Sequence, residues 1–542
     1  MSNIAPIAER LGLAPHEWLP YGRDKAKIEL AVGSGKRRRE GPSRLVLVSA
    51  ITPTPAGEGK TTISIGLAQG LNRIGKSVCL ALRQPSQGPS FGAKGGATGG
   101  GRASITPAEE IDLHFTGDFH AITSANNLHA AMVDNAVHFG KTRIDPRRIL
   151  WKRVLDVNDR SLREIVCGLG SKSDGVPRQS GFDITAASEV MAMFCLASDF
   201  DDLRRRIDRT IVAVDLDGKP VTAKDLKATG AMLALLKDAF LPNLVQTVDG
   251  VPAIVHGGPF ANIAHGCNSV VATKTALNLA DWVVTEAGFA FDLGGEKFYD
   301  IKCRSAGLDT AVVVLVATVR ALKLHGGSKD WNGPPDAAVV EAGLPNLAKH
   351  IESVRMFGET PVVALNRFGA DSEAEIEVVR RFCAAEDVPF AVCDAYSQGG
   401  DGAIELAQAV VANAEPQPSP FLPLYPLDLP TVEKIRTVAR MMYGARDIVL
   451  SPEAEKDLAR VKKWGLDGLP VCMAKTQNSL SDDPTRRGRP EGFDLRVRRI
   501  EVAAGAGFLV VLTGDIVRMP GLPEHPRAEG VDVVGGKIVG LV

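Results

Sequence analysis

The sequence lacks most of the features that would fix its class at a glance. Its eight cysteines stand at 79, 167, 195, 267, 303, 383, 393 and 472 with no C-x-x-C pair among them, so neither a zinc ribbon nor a dithiol redox motif is present. They read as small buried hydrophobes in a reducing compartment. Net charge is also lacking: 63 basic residues balance 64 acidic ones, which leaves no overall field to recruit nucleic acid or an anionic membrane. The two short basic clusters, at 36–39 and 204–206, read as solvated surface. The longest apolar run, 311–319, falls well short of the roughly 18–20 residues that span a bilayer. The first residues, MSNIAPIAERLGL, have neither the apolar core of a signal peptide nor the Arg/Ser richness of a transit peptide, so a cytoplasmic location is expected. No internal repeat is visible.

What is present is an alternation of buried strands and helices. Segment 45–51 (LVLVSAI) is continuous, β-branched and bounded by turn residues, which predicts a buried strand. A Gly/Pro/Thr loop, a helix over 60–73 and a second strand over 77–82 follow. Together these form the strand–loop–helix–strand unit of a parallel α/β sheet. Further apolar runs at 209–215, 253–256, 282–285 and 311–316 are expected in the same sheet. A compact βαβα module is predicted from strands 361–365 and 390–393 and helices 371–386 and 402–412. The stretch 416–430 holds six prolines in fifteen positions and marks a connector. A helix over 431–443 and a strand over 508–513 close the chain. The length of 542 residues suits several domains. The expected class is α/β: a P-loop-type parallel sheet domain over 1–348, with smaller α/β domains over 349–415 and 416–542.

Two loops carry chemistry. The first is Thr54-Pro55-Ala56-Gly57-Glu58-Gly59-Lys60-Thr61-Thr62, with Gly-Lys-Thr opening a helix directly after a buried strand. Glycine lets backbone N–H groups turn toward phosphate oxygens, and the helix start adds partial positive charge. Lys60 would reach the β/γ phosphates and Thr61 would ligate Mg²⁺. The match to the P-loop pattern is imperfect, because Thr54 occupies its first glycine position. The second loop follows strand 77–82 and begins Arg83-Gln84-Pro85-Ser86-Gln87, then runs into the glycine-rich stretch 92–102. In open α/β sheets the carboxyl edge of the strands faces the ligand crevice. An arginine there can grip a carboxylate or acyl phosphate through two parallel N–H bonds.

These segments resemble the formate–tetrahydrofolate ligases. The resemblance is carried by TPTPAGEGKTT (52–62), LRQPSQGPSFGAKGG (82–96), TGDFHAITSANNLHAAMVDN (116–135), WKRVLDVNDR (151–160), GFDITAASEVMAM (181–193), HGGPFANIAHGCNS (256–269), EAGFAFDLGGEKFYDIKCR (286–304) and AKTQNSLSDDP (474–484), and it runs in order along the whole chain. It implies that formate attacks the γ-phosphate of MgATP to give formyl phosphate, which then formylates N10 of tetrahydrofolate. It further implies a homotetramer without nucleic-acid or membrane partners. By resemblance, residues 54–62 bind ATP, Arg83 with Gly294 and Gly295 binds formate and formyl phosphate, and Phe368 and Tyr396 stack on the folate. Tyr396 stands where the family typically has tryptophan. Gln84 replaces a usual glutamate associated with monovalent-cation activation, so K⁺ dependence is left open. Lys60, Arg83, Asp118 and His114 are the expected catalytic residues. His120, His256 and His265 are further candidates for accepting the N10 proton, and Asp292, Glu296 and Lys297 share the turn with the two glycines.

Two other readings compete. A switch-type P-loop ATPase predicts a signature lysine at the start of the loop, where Pro53 or Thr54 stands. A folate-binding dehydrogenase predicts G-x-G-x-x-G after a strand, and the run Gly99-Gly100-Gly101 follows none.

Overall fold

The computed structural model describes residues 3–35, 39–93, 98–416 and 420–541. Part of the first basic cluster, residues 94–97 of the glycine-rich stretch and residues 417–419 of the connector lie outside these.

The organising element is a 12-stranded mixed sheet. Its strands are β1 (Trp18–Pro20), β2 (Ala26–Ile28), β3 (Arg44–Ala50), β4 (Val78–Leu82), β5 (Asn243–Thr247), β6 (Pro252–Val255), β7 (Trp282–Glu286), β8 (Val312–Ala317), β9 (Pro361–Asn366) and β10 (Phe390–Cys393), with a short hairpin at Gly99–Thr106 attached to β5. In space the order is β1-β2-β5-β6-β4-β7-β3-β8-β9-β10. From β6 to β10 every pairing is parallel, whereas β1, β2 and β5 add an antiparallel edge.

The parallel strands read as unbroken apolar runs because both faces of the sheet are covered. Along β3, Leu45 and Leu47 enter one core, while Val46, Val48 and Ala50 enter the other beside Ile63, Leu67 and Leu71 of helix α1 (Lys60–Arg73). Each such Val, Leu or Ile side chain contributes roughly 1.5–3 kcal/mol by leaving water. The remaining helices used below are α2 (Asp118–His138), α3 (Val319–His325), α4 (Ala337–Met356), α5 (Glu373–Ala385) and α6 (Ile404–Asn413). The Ser372–Glu375 capping box starts α5, as its sequence S-E-A-E favours.

The βαβα module at 361–413 forms as read, and its strands continue the edge of the large sheet beyond β8 instead of building a sheet of their own. One strand expectation is corrected. Residues Ile211–Asp215 do not join the large sheet but pair antiparallel with Ile144–Ile149 and Pro220–Thr222. The run is apolar because it packs into a separate core with α2 and helix Glu189–Leu196, and burial alone does not say which sheet buries a strand. The C-terminal part holds its own four-stranded sheet, Asp447–Leu450, Asp494–Ala503, Phe508–Thr513 and Val471–Ala474 in that spatial order.

Candidate active site

At the carboxyl ends of β3, β4 and β7 lies a cleft of about 550 Å³, lined by residues 55–62 of the first loop, by Arg83–Ser86 after β4, and by Gly258, Phe260, Ala261, Glu286 and Phe289. The two loops singled out in the sequence therefore face one space.

The phosphate-type loop is held by its own side chains. Glu58 is buried, with one carboxylate oxygen accepting from the Thr54 amide at 2.6 Å and the other from the Thr318 hydroxyl. Asn366, at the end of β9, donates to the Glu58 carbonyl at 3.0 Å. Gly59 caps α1 with φ +72°, and a Cβ there would meet Asn366 Nδ2 at 2.5 Å, so only glycine fits. Upstream, Thr52 is pinned by His325, His350 and Asn346. Lys60, Thr61 and Thr62 form the first turn of α1 at the cleft wall. Helix geometry leaves the amides of Thr61 and Thr62 without intrahelical acceptors there. Of the loop residues, Thr54 does not line the cleft, and the Glu58 carboxylate works inside the loop.

Arg83 leaves the end of β4 and enters the same wall. Its Nη2 donates to Glu286 Oε1 at 3.2 Å and its Nη1 to the Pro259 carbonyl at 3.4 Å, while its buried Nε has no acceptor among the described residues. The other Glu286 oxygen accepts from the Thr61 hydroxyl at 2.9 Å. Glu286 was not singled out from the sequence. The available signal is a lone acid closing the apolar strand WVVTE, at the edge where ligands bind. Phe289, also unanticipated, lines the cleft with φ +58°, a conformation that costs a non-glycine residue about 1–3 kcal/mol.

Gly294 and Gly295 lie behind the cleft and not in its lining. A Cβ on Gly294 would strike the Gly288 carbonyl at 2.0 Å, and one on Gly288 would meet Arg83 Nη1 at 2.7 Å. These glycines let one backbone pack under another so that the second can support the guanidinium. In the same turn, Asp292 pairs with Lys475 at 2.8 Å and Lys297 donates to the Ala261 carbonyl at 2.6 Å. Burial drives the Glu296 carboxyl well above its usual range.

The expected proton handlers separate into two groups. Asp118 is fully buried outside the cleft lining. It is paired with Lys27 at 2.8 Å and accepts from Asn243 at 2.6 Å and Thr116 at 3.2 Å. Placed among the catalytic candidates on sequence, it sits instead in a saturated structural network. His256 also has both nitrogens engaged, Nε2 with the Ala239 carbonyl at 2.9 Å and Nδ1 with Ser269 Oγ at 2.7 Å, and burial lowers its pKa to about 4. His265 is buried beside Lys302 and Lys297, and burial first and those charges second hold it well below the ordinary imidazole range. His114 and His120 are exposed. They stack with ring centroids 5.0 Å apart, and Nδ1 of one lies 2.7 Å from Nε2 of the other. His114 also lies 3.5 Å from Gln87, which opens the short helix Gln87–Phe91, and Pro89 and Ser90 of that helix line the cleft. Gln84, next to Arg83 in the cleft lining, is buried, with its Oε1 lacking a donor among the described residues.

Phe368 and Tyr396 follow the adjacent parallel strands β9 and β10 and so stand at the same carboxyl edge. The Phe368 ring carries the Arg320 guanidinium, on α3, at 3.8 Å from its centroid. Tyr396 is 60 % exposed and rests on Gly100 and Gly101 of the hairpin, whose Arg102 amide donates to its carbonyl at 2.9 Å. The glycine stretch thus provides a side-chain-free shelf for that ring.

A mixed α/β sheet with a cleft at its carboxyl edge, a glycine-capped helix start on one wall and an arginine on the other is the arrangement that α/β proteins use to bind anionic ligands. A family model for formate–tetrahydrofolate ligases matches residues 1–542. The chain is also 55% identical over 542 residues to a formate–tetrahydrofolate ligase of Paracoccus denitrificans (strain Pd 1222), covering 99% of this chain and 97% of that one. The chain belongs to the formate–tetrahydrofolate ligase family.

Proposed function

We propose that the chain ligates formate to tetrahydrofolate with ATP, giving 10-formyltetrahydrofolate, ADP and phosphate through formyl phosphate. The observation that carries this reading is the part-exposed Arg83 side chain, which stands in the wall of the cleft that the loop at 55–62 also lines. A one-carbon carboxylate seated on that guanidinium lies beside the phosphates.

Residues 54–62 and the start of α1 hold the triphosphate, with the Lys60 ammonium balancing the charge of its outer phosphates. A formate oxygen attacks the γ-phosphorus and the bond to ADP breaks, while Arg83 keeps the carboxylate oriented. The lone pair of N10 then attacks the formyl carbon, the bond to phosphate breaks and the N10 proton departs. We assign its acceptance to the His114–His120 pair, because Asp118, His256 and His265 are sealed. Phe368 and Tyr396 clasp the flat part of the folate.

The residues fit a magnesium ion carried by the nucleotide: the Thr61 hydroxyl and the Glu286 carboxylate, 2.9 Å apart, are the hard oxygen donors such an ion takes. When bound, the ion supplies neutralisation of the charge on the reacting phosphates. A homotetramer in the cytoplasm belongs to the same proposal, on the family likeness, and sedimentation of the purified chain tests the assembly.

Arg83→Ala and Lys60→Ala should each abolish formylation of tetrahydrofolate while leaving the circular dichroism spectrum unchanged. Normal turnover by purified Arg83→Ala overturns the formate-site assignment.

A further inference from the structure

Glu286 closes β7, and β7 runs between β3, which launches the phosphate-type loop, and β4, which ends in Arg83. The carboxylate is only 2 % exposed, and its two oxygens serve different walls of the cleft: Oε2 accepts from Thr61 at 2.9 Å and Oε1 from Arg83 at 3.2 Å. One anion therefore orients both half-sites. Because the Thr61 proton is directed at Glu286, the lone pairs of that hydroxyl are left for a cation at the phosphates. The charge of Arg83, meanwhile, is partly balanced by the same carboxylate before any substrate arrives.

We infer that Glu286 is a positioning residue that makes the metal–nucleotide and the carboxylate substrate bind with mutually increased affinity. The inference rests on the proposal that this cleft takes MgATP and formate. A divalent cation beside Thr61 draws the carboxylate's charge toward itself, because the attraction grows steeply at short range in a site sheltered from water. The hold of Glu286 on Arg83 weakens, and the guanidinium's field is released to the incoming carboxylate. Reciprocity follows by linkage: formate on Arg83 returns Glu286 to the cation, so each ligand strengthens the other by the same factor.

Calorimetry measures the dissociation constant of ADP with Mg²⁺ and with Mg²⁺ removed by chelator, each with and without saturating formate. In the unmodified enzyme, formate should tighten MgADP by about tenfold, within the range usual for coupled sites, and should tighten metal-free ADP far less. Glu286→Gln keeps the shape but not the charge, and should reduce the formate effect on MgADP to less than about twofold. Thr61→Val, which removes the hydroxyl and leaves the Arg83–Glu286 pair in place, should do the same, so the result does not hang on one variant's folding. A purely structural role for Glu286 would weaken MgADP and metal-free ADP alike and leave the formate ratio at its unmodified value, and that outcome overturns the inference. Failure of the unmodified enzyme to bind MgADP at all would instead overturn the nucleotide reading beneath it.

Discussion

Two ion pairs sit at the same large sheet, one sealed and one part-buried, and their surroundings assign them opposite roles. Lys27 and Asp118 meet at 2.8 Å with side chains 1 % and 0 % exposed, and every remaining valence is met: Lys27 also reaches the Leu241 carbonyl at 2.9 Å, and Asp118 takes Asn243 and Thr116. Arg83 and Glu286 meet at 3.2 Å, but the Arg83 side chain is 20 % exposed, its Nε–H has no acceptor among the described residues, and both residues border a cavity. A saturated pair holds elements together, here β2, β5 and the start of α2. An unsaturated pair beside a cavity is poised for a guest. Buried charge by itself marks neither.

The largest effect expected from this contrast is on stability. Asp118→Ala leaves the Lys27 ammonium buried among the Ala239 and Leu241 carbonyls and the Tyr21 ring with no counter-charge at contact distance, and removing one partner of such a pair typically costs about 3–5 kcal/mol. Arg83→Ala enlarges the cleft, so water reaches Glu286 and much of that penalty is avoided. Thermal unfolding should show a large drop in midpoint for the first and a small one for the second, with the activity losses ranked the other way. Equal drops would erase the distinction. The double change Lys27→Met with Asp118→Asn should recover part of the loss, because no lone charge then remains inside.

How much of this was legible in the sequence follows from which signals are local. The strand before the loop, helix 60–73 and helix 431–443 emerge at the expected places, because apolar period and turn residues determine them over a few residues. The meeting of the loop with Arg83 was legible too, since successive parallel strands deliver their ends to one edge. Asp118 and Glu286 could not be ranked in the same way. Whether an acid is saturated depends on Lys27 and Asn243, which lie 91 and 125 residues away in the chain, and no local pattern carries that information. Strand Asp494–Ala503 carries a largely alternating pattern in DLRVRRIEVA, but its five arginine and acid positions hide it from a search for apolar runs.

The next effect is on pH dependence, and it probes the sealed region again. Burial lowers His256 to about 4 from an ordinary 6.5, with the neighbouring Asp118 carboxylate opposing and Lys27 reinforcing the shift. A depressed folded-state pKa means that the unfolded chain binds the proton more readily. The stability His256 contributes is therefore complete above about 6.5 and is lost as pH falls toward 4, at up to about 1.4 kcal/mol per pH unit. His256→Gln keeps a donor for the Ala239 carbonyl and an acceptor for Ser269 without a titrating group. Between pH 6.5 and 4.5 its unfolding midpoint should fall less steeply than that of the unmodified protein. Parallel curves would show that His256 does not sense the sealed network.

The smallest effect concerns the rings beyond β9 and β10, where neither saturation nor full burial supplies much energy. Phe368 is positioned before any ligand arrives: the Arg320 guanidinium covers one ring face at 3.8 Å, and Asp371 accepts from the Phe368 amide at 2.8 Å to fix the turn. A planar ring on the opposite face gains about 0.5–1.5 kcal/mol beyond its buried area, so Phe368→Ala should raise the KM for tetrahydrofolate by roughly two- to tenfold. The KM for ATP should change far less, because the loop at 54–62 is held by Glu58, Thr318 and Asn366 and not by this ring. Arg320→Met should give a weaker version of the same change, since it removes the cation that holds the ring but leaves the ring itself. Steady-state kinetics with each substrate varied in turn separates these outcomes, and equal rises in both KM values would tie Phe368 to the nucleotide cleft and contradict its stacking role.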